Sequence, residues 1–329
     1  MGWHFGVLQN VVVVRPMGRY GMMSMLASLL AGLFPTTLLP GPAVWPADGA
    51  SAAVMWNAAP ALVTAPRPGP GPSPATPGPD AGSAAGEGVG VVVFNNVEEA
   101  TRAEPGTWYV EAAFTLARRV PGDRHSTSLL FQPGIYHSPS ETLTLGLFPA
   151  DVSYTSSGNF DGLRYEGSAA QALLSLVDPE SSPLGLAVFA FAGGNERGIV
   201  GEGRLVIQRL HGPWNLTYNL RLSTAVEGID GGGTDTTGTL GHSFGVACSG
   251  QVADELLSEL VSAWSLGGEL LIDSRYHEWR RYVGTTVYSG PTLGLVLGRT
   301  TALTVTGLVQ LTDEDAPRWT LQVTLGWGF

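Results

Sequence analysis

From residue 106 onward, apolar and polar positions alternate with a period of two. At the C-terminus Trp319, Leu321, Val323, Leu325, Trp327 and Phe329 are separated by Thr320, Gln322, Thr324, Gly326 and Gly328. Successive side chains of a strand point to opposite faces, so such a segment has one apolar face and one polar or small face. Trp214, Leu216, Tyr218, Leu220 and Leu222 repeat the pattern against Asn215, Thr217, Asn219, Arg221 and Ser223. Trp108, Val110, Ala112, Phe114 and Leu116 repeat it again. Matches at three- and four-residue spacing, which a helix needs, are missing from these segments. The pattern predicts about twelve strands, beginning near Thr107, Thr127, Glu141, Asp161, Leu184, Glu202, Trp214, Leu240, Trp264, Thr285, Thr301 and Arg318.

The intervening segments suggest alternating short and long connections. Residues 211–213 and 298–300 are short, whereas 118–126, 151–162, 193–201, 227–239 and 275–283 are longer and polar. Short periplasmic turns and long extracellular loops are the habit of outer-membrane barrels. Residues 251–263 depart from it, and Leu256, Leu257, Leu260 and Val261 there have the spacing of a small periplasmic helix. Trp108, Trp214, Trp264, Trp327 and Phe329 fall at the strand ends that would meet the periplasmic interface. The expected fold is therefore all-β: an antiparallel up-and-down transmembrane β-barrel of about twelve strands in the bacterial outer membrane. Lipid offers the backbone no hydrogen-bond partner, so the last strand should pair with the first, near residues 107–117.

Composition supports this reading. Apolar residues make up 44% of the chain and charged residues 14%, against about a quarter charged in a usual soluble domain. No run of 18 apolar residues offers a spanning helix. The net charge of -11 argues against a nucleic-acid partner, which needs clustered Lys and Arg. Cys248 is the only cysteine, so no intrachain disulfide forms.

Upstream of the alternation the chain changes character. Arg15 and Arg19, an apolar run over residues 22–34 and small residues over 49–53 have the layout of a secretory signal. Residues 1–52 are thus expected to be a signal region. Residues 53–95, rich in Pro, Gly and Ala, cannot bury enough apolar surface to order themselves and are expected to be a disordered linker. Residues 96–329 are then the barrel.

The polar face carries the candidate chemistry. Parity sends Glu111, Arg164, Glu166, Glu202, Arg204, Arg221, Glu227, Glu269, Asp273 and Arg275 to the lumen. Both signs are present, so cross-lumen ion pairs that partly plug the barrel, or a selectivity region, are the two readings. Six acids against four arginines favour cations. Neutral lumen positions such as Asn219 should tolerate arginine, whereas Leu220 should not. His242 and Ser243 are adjacent, hence on opposite faces, and cannot act together as base and nucleophile. Arg281 stands where a His-Glu-x-x-His zinc motif starting at His277 needs its second histidine. Instead, residues 276–282 read as a loop with an aromatic anchor and positive charge that can face lipopolysaccharide phosphates. Asp230 and Asp235 around Gly231 lack calcium-loop spacing. No cofactor, metal or enzymatic activity is expected.

A terminal strand ending in Phe329, with Trp327 on the same face, resembles the C-terminal signature read by the barrel-assembly machinery. Residues 97–329 also resemble a family of uncharacterised outer-membrane barrels, some of them labelled phenol-degradation-pathway MetA-type transporters. The resemblance rests on Asn96-Val-Glu-Glu-Ala, Pro105-Gly-Thr-Trp-Tyr, Pro183-Leu-Gly-Leu-Ala-Val-Phe, Gly212-Pro-Trp-Asn-Leu-Thr-Tyr-Asn, Gly268-Glu-Leu and the final Leu-Gly-Trp-Gly-Phe. It implies a barrel and a passive channel or transporter for small, hydrophobic or aromatic solutes, and transfers no functional residue. A structural or adhesive surface barrel with a plugged lumen is the second reading, and a lipid-modifying outer-membrane enzyme the third.

Overall fold

The computed structural model describes residues 94–119, 126–157, 160–228, 235–252, 260–298, 300–312, 314 and 316–328. Twelve strands follow in order: β1 (Trp108–Arg119), β2 (Ser126–Ser140), β3 (Leu143–Ser157), β4 (Phe160–Val177), β5 (Gly185–Asn195), β6 (Gly198–His211), β7 (Trp214–Glu227), β8 (Asp235–Gln251), β9 (Val261–His277), β10 (Arg281–Leu297), β11 (Thr301–Gln310) and β12 (Trp319–Gly328). Each strand pairs antiparallel with its sequence neighbour, and β12 closes on β1 from Tyr109↔Gly328 to Arg118↔Trp319. The sheet thus has no free edge, as a strand structure in lipid requires. Among the described residues there is no helix.

The expected signal region lies outside the described residues, as do nearly all of the linker, Asp230 with Gly231, and Phe329. Most of the expected helix lies outside them too, while Leu260 is a turn residue and Val261 opens β9.

The alternation maps onto the wall. In β7 Leu216 is 45% exposed and Leu222 52%, while Asn215, Thr217 and Asn219 are buried in the lumen. Leu145, Leu147, Leu174, Val188, Leu205, Phe244, Leu266 and Leu293 are likewise exposed around the barrel. A continuous apolar exterior of this kind is unfavourable in water and matches hydrocarbon. Trp108, Trp214 and Trp264 are exposed at the end where the wall begins and closes, here called the periplasmic end. Tyr165, Trp279 and Tyr282 are exposed towards the opposite end.

Connection lengths differ from the sequence expectation. Residues 151–162, read as a loop, belong mostly to β3 and β4, which leave only 158–159 between them. Residues 193–201 form a hairpin with a connection at 196–197, and 275–283 one at 278–280. The ladder continues into segments whose side chains are polar on both faces, because backbone pairing does not need an apolar face. Hydrophobic alternation reports the part of a strand in lipid and misses its extension beyond.

The tip at 278–280 has its own geometry. Glu278 and Trp279 have φ of 51° and 58°, rare for residues with side chains. The Trp279 indole donates to Thr224 Oγ1 at 2.9 Å and stacks on Tyr276 at 5.9 Å, so it folds back over neighbouring strands.

Inside, the lumen is divided. The side formed by β1 to β6 is filled by Tyr109, Tyr136, Phe148, Leu173, Phe189 and Phe191, all nearly inaccessible. The side formed by β7 to β12 has fewer aromatics and carries Asn219, Glu269, Thr292, Thr306, Gln322 and Thr324, while buried polar groups such as Glu111, Asp151, Glu202 and Arg204 also line the first side.

Candidate functional site

Residues 94–103, assigned by sequence to the linker's end and the start of the barrel region ahead of its first strand, lie inside the barrel. Phe94, Asn95, Val97 and Ala100 are essentially inaccessible, and Glu98 is 3% exposed. The segment is fixed at the periplasmic end by β2: Gly106 N–H donates to Ser138 O at 2.7 Å, and Ser138 N–H to Thr107 O at 3.1 Å. From there it crosses the lumen rather than lining one wall.

Its backbone polar groups find their partners in the wall's side chains, which supply what a neighbouring strand otherwise would. Ala100 N–H donates to Gln208 Oε1 at 2.8 Å on β6. Asn219 of β7 brackets Glu98, accepting from its N–H at 2.8 Å and donating to its carbonyl at 3.0 Å. Asn215 Nδ2 donates to Glu99 Oε1 at 2.9 Å. Glu269 of β9 accepts from Asn95 N–H at 2.9 Å, Asn96 N–H at 3.1 Å, Asn96 Nδ2 at 2.8 Å and Thr306 Oγ1 at 3.1 Å. Asn95 Nδ2 reaches Thr306 Oγ1 of β11 at 2.9 Å. Phe94 seats over Gly245 of β8, where a Cβ would stand 2.7 Å from its ring and displace it. Five strands within the half of the wall from β6 to β11 thus hold one short segment.

The ten sequence candidates fall into separate groups around this plug. Glu202, Arg204, Arg221 and Asp273 form one network: Glu202 bonds the Arg204 Nε, Arg221 lies 3.8 Å from Glu202, and Arg221 Nη2 lies 2.6 Å from Asp273. Arg204 also sits over the Phe189 ring at 5.1 Å. Arg164 and Glu166 approach at 3.7 Å, and Ser153 bonds the same carboxylate. Arg275 pairs with Glu314 at 3.8 Å, a partner in the β11–β12 connection that strand parity could not supply. Glu227 is exposed at the end of β7. Glu269 is the principal clamp of the plug. Glu111 is 1% exposed and forms no ion pair among the described residues.

Sequence reasoning missed the plug's own polar residues and the neutral amides that grip it. A signal existed: Gln208, Asn215 and Asn219 stand on the lumen face of two paired strands, and amides donate and accept together. It missed the aromatic half of the lumen because Tyr136, Phe148 and Phe189 sit on the face expected to be polar. Asp151, 1% exposed and bonded by Gln132 Nε2 at 3.0 Å, was hidden within an expected loop.

Glu98 belongs to the inserted segment, not to a strand. Burial pushes its carboxyl up to about 7; the nearby Arg204 opposes that rise and Glu202 adds to it. Seating of the plug therefore raises the affinity of Glu98 for a proton.

His242 and Ser243 sit in the middle of β8, on opposite faces. His242 Nδ1 lies 2.9 Å from the Tyr218 hydroxyl on the outer wall, so the pair makes no catalytic unit. Among the described residues no group of three or more His, Cys, Asp or Glu side chains is placed to hold a metal ion.

No family model matches the sequence, and no curated protein matches it. A solved structure shares the fold. The outer membrane channel COG4313 from Pseudomonas putida F1 superposes with a TM-score of 0.55 at 12% identity, over 70% of this chain and 98% of that one. The β domain of the Bordetella autotransporter Brka gives 0.47 at 10% identity, over 68% and 99%. The fold of this chain is that of an outer-membrane β-barrel.

Proposed function

We propose that the protein is a passive channel of the bacterial outer membrane for small solutes, hydrophobic or aromatic ones included, whose lumen is closed at rest by residues 94–103. The plug carries this reading. It is held by hydrogen bonds to polar side chains in a twelve-stranded wall, so it can be exchanged for water without breaking the barrel. Barrels of about eight strands are filled by side chains and those of about sixteen to eighteen hold wide aqueous channels. A twelve-stranded wall leaves room for one inserted segment and, on its release, for a narrow path. The likeness to the Pseudomonas putida outer membrane channel, and the resemblance to MetA-type transporters, support the same role. Lumen acids outnumber lumen arginines, which favours cations along an open path. Trp327 and Phe329 serve in this reading as the assembly signal for the barrel-assembly machinery, and lipids and lipopolysaccharide as the surroundings.

The same plug favours a second reading, a permanently sealed structural or surface barrel. Planar-bilayer recording separates the two. The channel reading expects small, intermittent conductance from the wild type and a higher open fraction once the Glu269 clamp is removed. A barrel that neither conducts nor speeds uptake of small aromatic solutes, in both wild-type and Glu269→Ala forms, is the sealed one.

A further inference from the structure

The outer wall is not uniform. Across β6 to β10 it carries a groove of about 480 Å³ on the lipid side, lined almost entirely by apolar surface. Its floor follows one ladder row: Arg209 pairs with Leu216, Leu216 with Val246, and Val246 with Gly268. Gly268 makes the depression, because it places no side chain where its neighbours place leucine, valine or phenylalanine. A Cβ there would meet only the Gly290 carbonyl oxygen, at 3.4 Å, so the space above it is open.

The row also climbs. Arg209 stands two positions before His211, the periplasmic end of β6. Val246 stands five positions before Gln251, the end of β8, and Gly268 seven positions after Val261, the start of β9. One end of the groove is therefore at the periplasmic interface and the other near the middle of the hydrocarbon. Three ladder steps at about 4.8 Å each make this part of the floor roughly 14 Å long. The interfacial end holds Arg209, which is exposed and has no ion-pair partner among the described residues. Tyr218 and Phe244, 4.9 Å apart, form the wall above.

A cationic end at the interface and an apolar floor rising into the bilayer reproduce the two parts of one amphiphile. We propose that this groove is a binding site for a single glycerophospholipid of the periplasmic leaflet, with its phosphate on Arg209 and one acyl chain lying over Gly268. Arginine binds phosphate through two parallel N–H donors, which an interfacial lysine would not reproduce. Filling the depression would remove the contact that distinguishes a resident lipid from the lipids around it.

Native mass spectrometry of the full-length barrel, extracted in mild detergent and challenged with added phospholipid, tests the site. The wild type should retain one phospholipid per barrel. Arg209→Gln, which removes the charge, and Gly268→Leu, which fills the floor, should each lower the retained fraction at least about tenfold. Gly201→Leu should leave it unchanged, since Gly201 is an exposed position on β6 with nothing within 4 Å of its would-be Cβ. Heat-modifiable migration in SDS gels establishes that each variant is a folded barrel, and either of the two site variants suffices. The proposal is overturned if the wild type retains no phospholipid. It is also overturned if lipopolysaccharide is the retained species, or if folded Arg209→Gln and Gly268→Leu barrels retain phospholipid as the wild type does.

Discussion

Replacing Glu269 by alanine should open the lumen while leaving the wall intact. The Glu269 carboxylate accepts four hydrogen bonds, two of them from the plug backbone at Asn95 and Asn96. Truncation leaves those two amide groups buried with no acceptor, at a cost of about 1–3 kcal/mol each. Loss of the acceptor for the Asn96 side-chain amide adds about 1 kcal/mol, so about 3 kcal/mol is the low end of the total for the seated state. The released segment recovers its hydrogen bonds from water, and the strand ladder around Glu269 uses main-chain groups that the substitution does not touch. Each 1.4 kcal/mol is tenfold, so the ratio of released to seated plug should rise at least roughly 10². The assay is open probability in planar bilayers at fixed voltage, with gel mobility of unboiled samples as the control for the wall. An open probability equal to that of the wild type, from a barrel that migrates as folded, would refute the claim that Glu269 holds the plug.

Arg221→Ala should make any open path more cation-selective, read as a shifted reversal potential in a salt gradient, because it frees Asp273 and leaves Glu202 with Arg204 alone. Opening should increase as pH rises from about 4.5 to about 7, the value to which burial raises Glu98, and level off above it. The sign follows from the raised carboxyl: its stabilisation of the seated plug is complete below its ordinary value near 4.5 and is lost above about 7. Glu98→Gln should flatten that pH dependence. Leu220→Arg puts a charge in lipid at about 2–4 kcal/mol and should block insertion, measured by the amount of folded barrel in membranes. Asn219→Arg, harmless by strand parity, should instead dislodge the plug, since Asn219 is fully buried and brackets Glu98; unchanged conductance would count against this. Deletion of Phe329 should lower the amount assembled in the outer membrane and raise periplasmic degradation, seen by immunoblot of fractions.

The wall was legible because lipid and lumen impose opposite demands on alternate residues. Leu216 and Asn219 could be assigned to opposite faces from sequence alone, and the closure of β12 on β1 followed from the lack of partners in lipid. Strand ends were less legible. β8 begins at Asp235 rather than near Leu240, and β10 at Arg281 rather than near Thr285, because alternation stops where lipid stops. The lumen ion pairs were legible as a set but not as partners: Arg221 and Asp273 pair across two strands, and Arg275 pairs with a connection residue. The plug was not legible at all. Residues 94–103 have no period, and what orders them is a set of side chains scattered from β6 to β11.

The plug also sets an order of events for assembly. It directly precedes β1, yet its partners lie on β6, β7, β9 and β11, the strands made later. The seam between β1 and β12 is the last pairing the chain can form. A barrel that zipped this seam first would have to draw the segment in through an end already crowded with side chains. Seating the segment before the seam closes avoids that threading, so the rate of closure should respond to the composition of residues 94–107.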